Sequence, residues 1–248
     1  MTRLSNPGLD VFPVWSPSGD RIAFSSTRSG GRGLNIFLRA ANGRGSIELL
    51  LDGPYNDAFN RVTDWSHDGQ YLAYYVQGVP DTYSDLWALP LTGERVPVSV
   101  LETSFDKFNP VLSPNGQYIA YMSNESERWE VYVIPFLNSD DKWSVSVNGG
   151  VFPKWNGQGT ELFYVEENTL MVVEVDTRSD FTFGDPQVLF TGEQVGVRLY
   201  DGGDAIFSLY DVTADGQRFA VVRSEGGNIA PRITVVENWY AEFKDKEP

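Results

Sequence analysis

Five internal repeats, each a tight glycine turn between short apolar runs with a third run beyond, predict an all-β fold: a β-propeller of four-stranded antiparallel blades. The repeats are anchored at Trp15, Trp65, Leu112, Trp155 and Val212, which lie 50, 47, 43 and 57 residues apart, and each anchor is followed four positions later by glycine. Beyond the glycine comes a polar residue or two and then a β-branched and aromatic run, the composition that strands prefer.

Each element follows from local chemistry. The turns are Ser16-Pro17-Ser18-Gly19, Ser66-His67-Asp68-Gly69, Ser113-Pro114-Asn115-Gly116, Asn156-Gly157-Gln158-Gly159 and Thr213-Ala214-Asp215-Gly216. Proline presets φ at the corner and glycine accepts φ > 0, so each turn joins two antiparallel strands. The second strands are Ile22–Phe24, Tyr71–Tyr75, Tyr118–Tyr121, Glu161–Val165 and Arg218–Val222. Third strands follow at Asn35–Leu38, Asp85–Leu89, Trp129–Val133, Thr169–Val173 and Arg232–Val236. A more polar fourth strand is readable at Ile47–Leu51, Pro97–Leu101, Trp143–Val147 and Gln187–Phe190. The last repeat stops after its third strand, whereas Thr2–Ser5 reads as a fourth strand with no repeat before it. The N-terminal strand is therefore expected to pair with the last blade and close the ring, removing two sheet edges. Because a lone blade cannot bury both faces, each tryptophan anchor is expected to fill the gap to a neighbouring blade. Residues 1–240 read as one propeller domain and 241–248 as a tail. The insertion Val195–Ala205 is too short for another blade.

Composition narrows the function. Lys+Arg minus Asp+Glu is 19 − 34 = −15, a balance that repels phosphate backbones and anionic lipid, so no nucleic-acid partner is expected. The chain has no cysteine and one histidine, His67, which excludes thiolate chemistry and multi-histidine metal sites. No run approaches 18 apolar residues, so no membrane insertion is expected, and Met1–Gly8 lacks the apolar core of a secretory signal. Gly30-Gly31-Arg32-Gly33 lies between strands and reads as hairpin, not as a phosphate-cradling loop. No cofactor and no metal site is expected.

Repeat symmetry nominates a ligand site. Asp10, Asn60 and Lys107 stand five positions before their anchors, Arg61 four before, and Asp64, Lys154 and Asp211 one before. Asp10, Asn60, Arg61 and Lys107 are expected to share one rim of the channel, with Asp64, Lys154 and Asp211 completing the candidate set. A mixed rim of this kind suits a small polar ligand, a peptide terminus or an ion; equally, its members could solvate the entrance or pair with each other. A funnel-site glycosidase needs two or three carboxylates, one of them with a raised pKa. Only Asp10, Asp64 and Asp211 are in register, and not at one equivalent position. His67 falls in a turn, Ser139–Lys142 is a solvated hairpin tip, and nothing supplies a nucleophile with an orienting partner. No catalytic residue is assigned.

The segment Pro13-Val14-Trp15-Ser16-Pro17-x-Gly19-x-x-Ile22-Ala23-Phe24 resembles the WD40-like (TolB-type) propeller repeat. Ser123–Phe136, Glu161–Tyr164, Tyr210–Phe219 and Ile233–Trp239 resemble, in order, landmarks of the C-terminal sensor propeller linked to bacterial serine/threonine kinases. That resemblance implies a non-enzymatic sensor or scaffold module that binds a protein or small polar ligand outside the cytoplasm, with a cytoplasmic place left open. Relatives of the TolB type use six blades, so a sixth stays open beside the five readable here. Two alternatives remain: a funnel-site carbohydrate-active enzyme, or a fragment of a larger kinase- or peptidase-linked propeller that associates through open blade edges. No Gly-x-Ser-x-Gly elbow and no kinase catalytic segment occurs in the chain.

Overall fold

A computed structural model describes residues 8–53, 57–80, 82–138, 141–200, 207–223 and 232–237. Among them each repeat forms one antiparallel sheet. The first comprises β1 (Asp10–Trp15), β2 (Arg21–Ser26), β3 (Asn35–Ala40) and β4 (Glu48–Leu51), paired in chain order. The second is β5 (Phe59–Trp65), β6 (Tyr71–Val79), β7 (Tyr83–Pro90) and β8 (Val98–Leu101). The third is β9 (Lys107–Leu112), β10 (Tyr118–Ser123), β11 (Glu130–Pro135) and β12 (Trp143–Ser144). The fourth holds β13 (Val151–Trp155), β14 (Glu161–Glu166) and β15 (Thr169–Asp176), with β16 (Thr182–Phe183) and β17 (Gln187–Thr191) both pairing with β15. A single helical turn, α1 (Gly192–Val195), precedes β18 (Tyr210–Val212), β19 (Arg218–Arg223) and β20 (Arg232–Glu237) of the fifth sheet. By contacts the chain divides into two compact units, Met1–Leu112 with Pro135–Asp141, and Ser113–Ile134 with Lys142–Pro248.

The five turns form as the sequence predicts. Gly19, Gly69, Gly116, Gly159 and Gly216 have φ of 70°, 76°, 70°, 69° and 71°, a region open to glycine at no steric cost. Each donates its N–H to the carbonyl three residues back, as Gly19 does to Ser16 at 2.8 Å. The first turn residue also works through its side chain. The hydroxyls of Ser16, Ser66, Ser113 and Thr213 accept the N–H of Arg21, Tyr71, Tyr118 and Arg218 at 3.0, 2.8, 2.9 and 3.2 Å, so one side chain fixes both ends of the loop. In the fourth repeat Asn156 Oδ1 takes this role, accepting from Thr160 N at 2.9 Å.

Two outer elements differ from expectation. The strand expected over Trp143–Val147 keeps only two paired residues, because the Ser146 hydroxyl accepts the Val131 N–H at 2.7 Å and replaces the next ladder bond. The extra strand β16 pairs through Val175 with Phe183. The ring-closing strand Thr2–Ser5 and the tail lie outside the described residues.

In the first unit, Ala23, Ile36 and Leu38 of the first sheet pack against Val62, Trp65, Leu72 and Tyr74 of the second. Trp65 thus fills a gap between sheets, as expected. Trp15 does not. It is 58% exposed. The second unit buries Leu162, Tyr164, Leu170 and Val173, and Phe219 meets Phe163 edge-on with ring centroids 5.2 Å apart.

Gly157 is a turn residue whose lack of a side chain is required by the backbone of a neighbouring turn. Its N–H donates to Ala214 O at 2.8 Å, and a Cβ there would lie 2.8 Å from the Ala214 Cβ and 2.9 Å from the Ala214 oxygen. Gly157→Ala is expected to cost about 1–3 kcal/mol, seen as a melting temperature lower by several degrees. Gly31→Ala, whose Cβ would meet nothing closer than 3.9 Å, is the control expected to melt like the parent.

Candidate functional site

The nominated residues all lie on the first strand of a sheet: Asp10 and Lys107 open β1 and β9, Asn60 and Arg61 lie near the start of β5, Asp64 and Lys154 stand next to last in β5 and β13, and Asp211 is the middle residue of β18. In β1, β9 and β13 the third residue before the anchor, Phe12, Asn109 or Phe152, is left-handed at φ of 54°, 52° or 57°. Each precedes a proline, which disfavours right-handed helical geometry in the residue before it. In β1 and β13 the register shifts at this point, so a bulge aims the strand start independently of the strand body.

The side chains are then tied down one by one. Asp10 receives Arg28 Nη2 at 2.7 Å on Oδ1 and 2.8 Å on Oδ2, and the Arg28 guanidinium lies over Phe24 at 4.9 Å and Phe37 at 5.2 Å. Asn60 is buried, and its Nδ2 and its backbone N both donate to Leu34 O, at 2.9 and 3.0 Å. Asp64 accepts the N–H of Trp65 at 2.8 Å on one oxygen and that of Leu112 at 2.7 Å on the other. Lys107 is 1% exposed; its Nζ donates to Thr103 O, Thr103 Oγ1 and Phe105 O at 2.9, 2.9 and 2.6 Å, and sits 3.1 Å from Asp85 Oδ1. Asp85, equally buried, takes the Thr82 hydroxyl on its other oxygen at 2.5 Å. In the second unit Lys154 Nζ lies 3.0 Å from Asp211 Oδ1, and Asp211 is 72% exposed.

Arg61 differs from the rest. Its guanidinium carbon lies 5.7 Å from the Phe12 ring centroid, 5.2 Å from Phe59 and 5.6 Å from Tyr75. Its Nη1 donates to Gln77 Oε1, and Gln77 Nε2 donates to the Tyr83 hydroxyl at 3.0 Å. Burial pushes the Tyr75 hydroxyl up to about 12, with the Arg61 charge pulling the other way.

Of the nominated residues, Lys154 and Asp211 meet each other, while Asp10, Asn60 and Arg61 are joined by no hydrogen bond or ion pair among themselves. Their partners Arg28, Leu34, Gln77 and Asp85 escaped sequence reasoning. Arg28 alone left a usable signal, since Asp10 pairs with Ser26 in the hairpin register and Arg28 is two residues further on.

Three cavities border these elements. One of about 140 Å³, lined by Val11, Pro13, Ile22 and Phe24, opens between Asp10 and Arg39. In the second unit a groove of about 1100 Å³ runs past Asn168, Glu193, Arg198 and Tyr200, and a cleft of about 410 Å³ gathers Glu161, Glu174 and Asp215. Burial raises the Glu161 pKa, the Asn156 side chain that donates to it at 2.9 Å lowers it, and the charge of Glu174 directly across the β14–β15 pair raises it further. No cluster of three or more metal-ligating side chains is found among the described residues.

No family model and no curated protein matches the chain. Solved structures do. TolB from Acinetobacter baumannii superposes with a TM-score of 0.70 at 14% identity, over 93% of this chain and 52% of that one. The chain has the TolB-type β-propeller fold. A putative TolB from Agrobacterium tumefaciens matches with a TM-score of 0.56 at 18% identity, over 71% of this chain and 63% of that chain. An auxiliary nutrient binding protein from Bacteroides thetaiotaomicron gives 0.59 at 11% identity, over 92% and 55%. This propeller thus spans between half and two thirds of the TolB chains it matches. The likeness to kinase-linked sensors stays one of sequence landmarks.

Two predictions follow from these contacts. Lys107→Met strands the Asp85 charge in a buried site and is expected to lower the unfolding free energy by about 3–5 kcal/mol in urea titrations, with Asp85→Asn in the same chain restoring part of it. Glu161 has a raised folded-state pKa, so its contribution favours the folded state while it is protonated and is lost as pH rises through that pKa. Glu174→Gln removes the opposing charge; it is expected to raise the melting temperature at pH 7, by an amount that shrinks as pH falls through the Glu161 pKa and that carboxyl takes up its proton.

Proposed function

We propose that the chain is a non-enzymatic β-propeller binding or scaffold module, recognising a protein or small polar ligand at the channel mouth, with Asp10, Asn60, Arg61, Asp64 and Lys107 of the first unit and Lys154 and Asp211 of the second as the candidate residues. The observation that carries this reading is the employment of the carboxylates. A funnel hydrolase needs one carboxyl free to give its proton and a second free to attack or to activate water. Asp10 gives both oxygens to Arg28, and Asp64 gives both to backbone N–H groups. Groups so engaged are structural acceptors, and protonating either one breaks a clamp. Rigid side chains on strand ends serve recognition instead, because a preordered surface loses little entropy on binding.

Similarity to TolB and to a nutrient binding protein supports the reading at the level of fold, which by itself assigns no ligand. The extracytoplasmic place that the family resemblance implies belongs to the same reading. The test is turnover. Purified protein is expected to leave chromogenic glycoside and peptide panels unhydrolysed. Hydrolysis that disappears in Asp211→Asn, a change at an exposed position, would overturn the reading.

A further inference from the structure

We infer that Arg61 is the anchor for a peptide carboxylate, docked against the aromatic side chains that hold its guanidinium; the inference rests on the reading of the propeller as a binding module. The key fact is that no carboxylate among the described residues pairs with it. Arg28, Arg95, Arg128 and Arg178 each lie 2.6–2.7 Å from a carboxylate oxygen. Arg61 has none among the described residues, in a chain with 34 acidic side chains and 19 basic ones. Its polar partner is the neutral Gln77, its Nε is buried without an acceptor, and three rings surround the group.

Partial burial of a guanidinium costs free energy that ring faces offset only in part. What the arrangement retains is preorganisation. Phe12, Phe59 and Tyr75 fix the rotamer, Gln77 fixes the rotation of the fork, and the ordering of a long side chain is complete before any ligand arrives. A carboxylate reaching the guanidinium would find a planar donor that no carboxylate among the described residues engages.

Tyr83 supplies a second observation. It is 55% exposed and left-handed at φ 61°, a costly conformation for a bulky residue, and its hydroxyl is held by Gln77. The left-handed turn belongs to the β6–β7 hairpin, whose register shifts between Gln77 and Val79, and it sets the exposed ring beside Gln77, where it extends the contact surface past Arg61. The composition of the cluster (Arg, Tyr and Phe) is that of protein interfaces, which favours a peptide over a free inorganic anion.

The experiment observes the Arg61 Nε–H resonance by ¹⁵N NMR of the full chain while four probes are titrated to millimolar concentration. They are acetyl-Gly-Glu-Gly-amide, acetyl-Gly-Gly-Gly with a free carboxylate, acetyl-Gly-Gly-Gly-amide, and inorganic phosphate. A saturable shift is expected from one or both carboxylate peptides, the stronger response showing whether a side chain or a C-terminus is preferred, and none from the amide. Arg61→Lys is expected to weaken binding about tenfold, because an ammonium cannot present the planar fork. Tyr83→Ala, at an exposed position, is expected to weaken it a few-fold and keeps the assignment testable if Arg61→Lys does not fold. The inference is overturned by no saturable shift from either carboxylate peptide, by an equal response to the amide, by phosphate binding more tightly than both peptides, or by unchanged affinity in Arg61→Lys. None of these outcomes involves turnover, so failure here leaves the binding-module reading standing, and hydrolysis would end that reading whatever Arg61 does.

Discussion

A four-stranded sheet with two apolar faces cannot hide both, and its innermost strand carries backbone groups that its own ladder leaves unpaired. The remedy in this chain is lateral: side chains of one sheet satisfy the backbone of the next. Ser25 Oγ accepts the Val62 N–H at 3.0 Å, Ser84 Oγ accepts the Lys107 N–H at 2.8 Å, and Asp64 holds the Leu112 N–H. Thr63 Oγ1 donates to Pro110 O at 2.6 Å, and in the second unit the Tyr210 hydroxyl donates to Phe152 O at 2.7 Å. Buried backbone groups left unsatisfied would cost about 1–3 kcal/mol each, so these clamps accompany the apolar contacts and do not merely decorate them. Stability in such an array is a sum of sheet terms and neighbour terms.

That arrangement explains what the sequence made legible. The turn is a local device, closed within six residues by one hydroxyl and one left-handed glycine, and so it recurs wherever two strands must be joined. Repetition marks it. The strand runs are equally local, and their existence and order follow from composition and spacing. Even the exception in the fourth repeat has a readable cause: Asn156 replaces the hydroxyl, and Gly157 replaces proline because Ala214 of the next turn approaches it.

The site was less legible because it is built from contacts that do not repeat. Equivalent positions hold Asp10, Asn60 and Lys107, yet each is engaged differently: by an arginine of the loop after β2, by a backbone carbonyl, and by an aspartate buried in the sheet before. Symmetry locates a residue but says nothing of its partner. Trp15 makes the same point for packing. It shares its position with the buried Trp65, yet it stays exposed.

The acidity of the chain bears on what such a surface can hold. A net charge of −15 raises a long-range barrier to any polyanion, and salt screens it over roughly 10 Å. A single guanidinium with unspent charge acts over a shorter distance, and its attraction grows as rings exclude water around it. The two ranges together discriminate. A phosphate-rich or multiply acidic partner meets the repulsion of the whole chain for the reward of one contact, whereas a segment with one carboxylate beside apolar groups meets little repulsion and gains both the fork and the rings. Fields of this kind set which partner is rejected more than how tightly the accepted one is held. If Arg61, set among Phe12, Phe59 and Tyr75, anchors a carboxylate as proposed, the local fork and rings would do the selecting and the acidic surroundings would sharpen it.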